Sequence, residues 1–105
     1  MGEKLREILA ELRRELEGIY GDRLVKMILF GSQARGDAED GSDIDVLVVL
    51  RGGESAEEKE RRRRGVAELC LAHEVVIGCL VMDEGRFLHR QGPLLRNIRR
   101  EGVLV

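Results

Sequence analysis

Apolar positions in the first twenty residues recur at helical spacing: Leu5, Ile8, Leu9, Leu12, Leu16 and Ile19, with charges between them. A stripe of that period is the core-facing side of an amphipathic helix over 3–20, and Gly21-Asp22 ends it. The period then changes. Arg23 to Phe30 turns apolar from Met27 onward and reads as a strand. Asp43 to Leu50 reads as a second strand, and its unbroken apolar run from Val46 implies burial on both faces. Gly52-Gly53 breaks it. Residues 55–72 predict a second helix, charged through its first half, with Ser55 as N-cap and Glu58 completing a capping box. Glu74 to Met82 predicts a third strand. Pro93 suits the first turn of a last helix running to about Glu101, and the closing Val-Leu-Val can add a short strand. Short apolar strands interleaved with helices predict an α/β (α+β) fold, helices packed on a small sheet. The 105 residues suit one domain, 1–105, with a single core.

Composition narrows this picture. Aromatic residues make up only 3% and Trp is absent, so the core is aliphatic. A net charge of −2 argues against nucleic-acid binding by bulk charge, and the mixed charges suit a soluble surface. The Glu60–Arg64 run "ERRRR" reads as a solvated helix face, because Glu57, Glu58 and Glu60 can pair with it one turn away. Cys70 and Cys79 lie in apolar segments without metal-type spacing and read as reduced core residues of a cytoplasmic protein. No stretch approaches the ~20 apolar residues of a membrane span. His73 and His89 lack ligand spacing, and Tyr20 closes the first helix.

The chemistry concentrates between the first two strands, in "LFGSQARGDAEDGSDIDVLVVL", Leu29 to Leu50. Asp43 and Asp45 are two residues apart at the mouth of a strand, so they project to one face with Cα atoms about 7 Å apart. Two like charges side by side are costly unless a cation lies between them. Oxygen-only ligands favour Mg²⁺ or Mn²⁺, and the small number of them suits Mg²⁺, which keeps waters and substrate phosphates in its shell. Gly31-Ser32 follows the first strand directly. Glycine permits close approach of a phosphate, and backbone N–H groups plus a hydroxyl can bind its oxygens. Arg35 is either a cation for the same phosphates or a surface partner for Asp37 or Glu39. Ser32 could alternatively be a plain helix N-cap.

Gly31-Ser32, ten intervening residues, then Asp43-Ile44-Asp45 resembles the G-S-x10-D-x-D signature of the DNA polymerase β-type nucleotidyltransferase superfamily. The whole stretch is similar to the small stand-alone members, the minimal nucleotidyltransferases, and the likeness extends over essentially the whole chain. The resemblance implies a mixed sheet flanked by helices and an ATP site with Mg²⁺. It implies that Gly31 and Ser32 hold the triphosphate and that Asp43 and Asp45 hold the metal. Members usually carry a third carboxylate on a later strand; no Asp stands there, and Glu74 is the nearest match. The resemblance also implies a HEPN-type helical partner in a toxin–antitoxin pair, with AMP passed to that partner, while a homo-oligomer stays open. The competing expectations are a catalytically degenerate module that neutralises its partner by contact, and a transferase for an aminoglycoside-like small molecule.

Overall fold

The computed structural model describes residues 2–36, 38 and 41–105. Helix α1, Glu3–Tyr20, presents Ile8, Leu9, Leu12, Leu16 and Ile19 to the core at the spacing expected of it. A short 3-10 turn leads into β1, Leu24–Phe30. A four-residue helix α2, Ser32–Arg35, precedes β2, Ile44–Leu50. Helix α3, Ala56–His73, crosses over to β3, Ile77–Asp83. Two helices follow, α4, Glu84–His89, and α5, Pro93–Glu101, and then a two-residue strand β4, Val103–Leu104.

The sheet runs in the order β3-β2-β1-β4. β1 is antiparallel to both its neighbours, and β2 and β3 are parallel, joined by the α3 crossover. The sheet is mixed, as the resemblance implied. Alternation along β2 sends Ile44, Val46, Val48 and Leu50 to one core, with α1 and Val66 of α3. Leu47 and Val49 go to the other, with Ile28, Phe87 of α4, and Leu95 and Ile98 of α5. β2 is thus buried on both faces, as its unbroken apolar run demanded.

Two segments depart from the sequence reading. The third strand starts at Ile77, not Glu74, because α3 runs on to His73 and closes there. Glu74 takes the left-handed conformation at the helix end (φ 55°), and the chain needs Val75 and Val76 to reach the sheet. Helix α4 was not foreseen. Six residues are too few for a periodic pattern, although Asp83 caps it, its carboxylate accepting from the Gly85 N–H at 2.9 Å. The capping box of α3 forms as expected: Ser55 Oγ accepts from the Glu58 N–H, and Glu58 Oε1 from the Ser55 N–H, each at 3.0 Å.

Candidate active site

The end of β1 and the start of β2 and β3 meet at one level of the sheet: Phe30 pairs with Asp45, and Asp45 with Gly78. Asp45 continues the Leu47 and Val49 row of β2, so its carboxylate lies on the α4/α5 side of the sheet, at the rim of that core. Asp43 precedes the strand by one residue and is exposed, two positions from Asp45. Ile44, between them, is buried in the opposite core.

Glycines bracket the Asp45 carboxylate. A Cβ at Gly31 would lie 2.8 Å from Asp45 Oδ2, and one at Gly78 would lie 3.3 Å from Oδ1. Gly31 also has φ +74°, which side-chain-bearing residues rarely adopt. That turn folds the chain at once into α2, with the Gly31 carbonyl accepting from the N–H groups of Ala34 and Arg35 at 3.1 and 3.2 Å. Gly36, left-handed in its turn, ends the helix. Ser32 is the first residue of α2 and not its cap; Gly31 is the cap, with no side-chain cap bond, so the Ser32 hydroxyl is not spent on one. Gln33 ties the returning loop to the site, donating from Nε2 to the Ser42 carbonyl at 3.3 Å.

Gly31 and Asp45 are therefore in contact range, with Ser32 next along the chain from Gly31 and Asp43 two residues before Asp45. Arg35 stands at the far end of α2 and pairs with Glu101 of α5 at 3.7 Å. Asp37 and Glu39, the other acceptors expected for Arg35, lie outside the described residues. Glu74 lines a cleft of about 810 Å³ with Ser42, Ile44, Cys70 and Val76. Ile44 points away from the Asp45 side, and among the described residues no three His, Cys, Asp or Glu side chains come together to hold a metal. The structure does not bring Glu74 into a three-carboxylate set with Asp43 and Asp45. The residue on β3 that faces Asp45 is Gly78, a position the sequence reading passed over. A glycine in an otherwise apolar strand signals a close approach, and that signal was available.

The two aspartates fit Mg²⁺ as protein ligands. They supply carboxylate oxygens two residues apart, and because Gly31 and Gly78 carry no side chain, the Asp45 oxygens are not covered by a Cβ from either neighbour. Away from this site the charges are structural. Tyr20 donates to Glu54, which also receives Arg62 in a fork at 2.7 and 3.1 Å. Burial pushes the Glu54 carboxyl up, but the bonds from Arg62 and Tyr20 outweigh it and hold it below the usual carboxylate value. Burial, reinforced by the Glu54 carboxylate, pushes the Tyr20 hydroxyl up. Burial also pushes the Cys79 thiol up to about 11. The "ERRRR" run is a helix face with Glu60–Arg64 paired at 3.7 Å, while Arg62 turns inward to Glu54 and Glu58 pairs with Arg23 at 2.6 Å. His73 packs against Glu11. No helix among the described residues is long and apolar enough to cross a membrane.

Comparison with known proteins bears on the fold and the family. A chain of Methanocaldococcus jannaschii named as a candidate protein adenylyltransferase is 32% identical over 75 residues, which cover 71% of this chain and 76% of that one. A solved structure described as a candidate minimal nucleotidyltransferase covers 98% of this chain and 94% of its own, with a TM-score of 0.66 at 22% identity. A crystal structure of a toxin–antitoxin with AMP-PNP matches 89% of this chain and 68% of that chain, with a TM-score of 0.62 at 18% identity. The family model of the nucleotidyltransferase domain matches residues 5–100. With Gly31-Ser32 and Asp43-Ile44-Asp45 meeting at one end of a mixed sheet, the chain belongs to the nucleotidyltransferase domain family.

Proposed function

We propose that this chain transfers AMP from ATP, with Mg²⁺, to a hydroxyl of a protein partner, as the antitoxin of a toxin–antitoxin pair with a HEPN-type helical protein. The observation that carries the reading is the Asp45 carboxylate held between Gly31 and Gly78, with Asp43 two residues away. The names of the similar proteins support the rest: one is named for protein adenylylation, another was solved as a toxin–antitoxin with AMP-PNP. In such a transfer the acceptor oxygen bonds to the α-phosphorus of ATP. The α–β phosphoanhydride breaks, pyrophosphate leaves, and the hydroxyl proton is released. Asp43 and Asp45 would hold Mg²⁺, which neutralises charge on the reacting phosphates. Gly31 and Ser32 would cradle the triphosphate. Arg35 is placed to neutralise phosphate charge only if it leaves Glu101, an exposed pair of small worth. Free cysteines and the soluble surface suit the cytoplasm.

The contact-only reading has one observation in its favour: Gly78 stands where a third carboxylate would face Asp45, and Glu74 lies off that side. One experiment separates the two. Ligand at a hundred times its Kd stabilises by about 2.7 kcal/mol, a thermal shift of ten degrees or more at this size. ATP with Mg²⁺ should give such a shift, EDTA should remove most of it, and label from α-³²P-ATP should appear on the partner. Binding without label favours the contact-only module. No shift at millimolar ATP and Mg²⁺ overturns the site itself.

A further inference from the structure

Strand β3 is the one long strand left with an open side: β2 is its sole partner among the described residues. Its residues 77–82, Ile-Gly-Cys-Leu-Val-Met, carry no charge and no proline. Natural edges are ordinarily blunted by such residues, because free N–H and C=O groups pair with any strand that arrives. This edge is apolar at its surface as well. Val76 is 58% exposed, Leu80 37%, and Leu71, at the end of α3 beside Val76, 80%. The Val76 carbonyl accepts from the Ile44 N–H, so Gly78 and Leu80 turn their backbone groups to β2, while those of Cys79 and Val81 point outward.

The exposed charged residues flanking the two ends of the edge differ in sign. Glu74 is exposed just before the strand. Beyond its other end, Arg86 and Arg90 are exposed and line a cleft of about 370 Å³ with Leu80, Met82 and Asp83. Neither arginine makes a side-chain ion pair among the described residues; of the two acids at this end, Asp83 accepts from the N–H groups of Gly52 and Gly85, and Glu84 pairs with Arg51 at 3.8 Å. An antiparallel copy reverses the order, so an acid-to-base edge is complementary to itself.

We propose that β3 is a homodimer interface, in which a second copy of this chain adds its own β3 antiparallel about a two-fold axis at Leu80, making one continuous eight-stranded sheet. Counting outward from Leu80 places Cys79 opposite Val81 of the other copy, both with outward backbone groups, as an antiparallel ladder requires. The same antiparallel arrangement brings the Glu74 end of one copy's edge to the α4 end of the other's, where Arg86 is exposed, twice over by symmetry. The Leu80 side chains meet on the axis, where a directly opposed apolar pair stabilises the sheet. Neither Asp43 nor Asp45 is in the pairing, so the interface stands independently of the function proposed above.

The test is sedimentation velocity on the whole chain from low to several hundred micromolar, with hydrogen exchange in parallel. The wild type should reach twice the monomer mass, and the Cys79 and Val81 amides should slow as concentration rises. Leu80→Lys should be monomeric across the range. Glu74→Arg and Arg86→Glu should each raise the dimer Kd by at least about tenfold, and the two together should restore it to within about threefold. The exchange measurement needs no variant, so it stands even where a substitution unfolds the chain. A wild type that stays monomeric at every concentration overturns the proposal and leaves the edge for a different chain. A dimer whose Cys79 and Val81 amides stay fast, or which survives Leu80→Lys, overturns it in favour of another surface.

Discussion

Gly31 and Gly78 flank the same carboxylate but differ in what a side chain would meet. At Gly31 a methyl group would face both a φ of +74° and the Asp45 Oδ2 atom at 2.8 Å. Gly31→Ala should therefore cost roughly 1–3 kcal/mol in chemical denaturation and weaken nucleotide binding besides. At Gly78 the contact is 3.3 Å and the backbone is ordinary. Gly78→Ala should cost less than about 1 kcal/mol, so the two variants separate backbone strain from crowding of Asp45. Asp43→Asn and Asp45→Asn relieve a like-charge pair. Each should leave the apo fold as stable or more so while abolishing the ATP–Mg²⁺ thermal shift. Destabilisation of several kcal/mol by either would make the pair structural. Glu74 carries a separate expectation. Its left-handed backbone, at the end of α3, favours glycine over glutamate. Glu74→Gly should stabilise by roughly 1 kcal/mol, and Glu74→Gln should leave AMP transfer within about twofold of wild type. A tenfold loss of transfer in Glu74→Gln would return it to the site.

At the scale of elements, α3 is anchored by charge where α1 is anchored by apolar area. The first half of α3 buries little, and Arg62, Glu54 and Tyr20 join it to the end of α1 and the loop after β2. The Arg62 and Glu54 side chains are 14% and 11% exposed, so breaking the fork leaves a poorly solvated guanidinium. Glu54→Gln should destabilise by about 1–3 kcal/mol. The pH dependence has a definite sign. The folded Glu54 carboxyl titrates below its unfolded value of 4.5, so the contribution is complete above that pH. It is lost as pH falls through the lower folded value, and Glu54→Gln should flatten that acid limb. Cys79 acts at the other extreme. Its thiol is held neutral to about 11 in the fold against 9.0 unfolded, so folded stability should decline between pH 9 and 11, and Cys79→Ala should remove that decline. The capping box of α3 was legible from Ser55 and Glu58 three residues apart. The Glu58–Arg23 pair was not, since Arg23 comes from a distant turn and nothing local joins the two.

Across the whole molecule, what the sequence determined was what local periodicity and short spacing encode. The α1 stripe, the doubly buried β2 and the capping box all act within a few residues of backbone, and each formed. Tertiary structure alone decided which strand lies beside which. The parallel β2–β3 pairing sets Gly78, not Glu74, against Asp45, and no pattern within β3 carries that register. It also decided that β3 is an edge: an apolar strand reads alike in a sheet's centre and at its side. Residues 85–100 hold five arginines and no acid in a chain of net charge −2, yet Arg99 spends itself on the carbonyls of Phe87 and Arg90, while Arg86 and Arg90 stay exposed at the end of β3. Composition counts those charges; only the packing of α4 and α5 against the sheet distributes them, because the free energy that fixes their places comes from contacts between residues far apart in the chain.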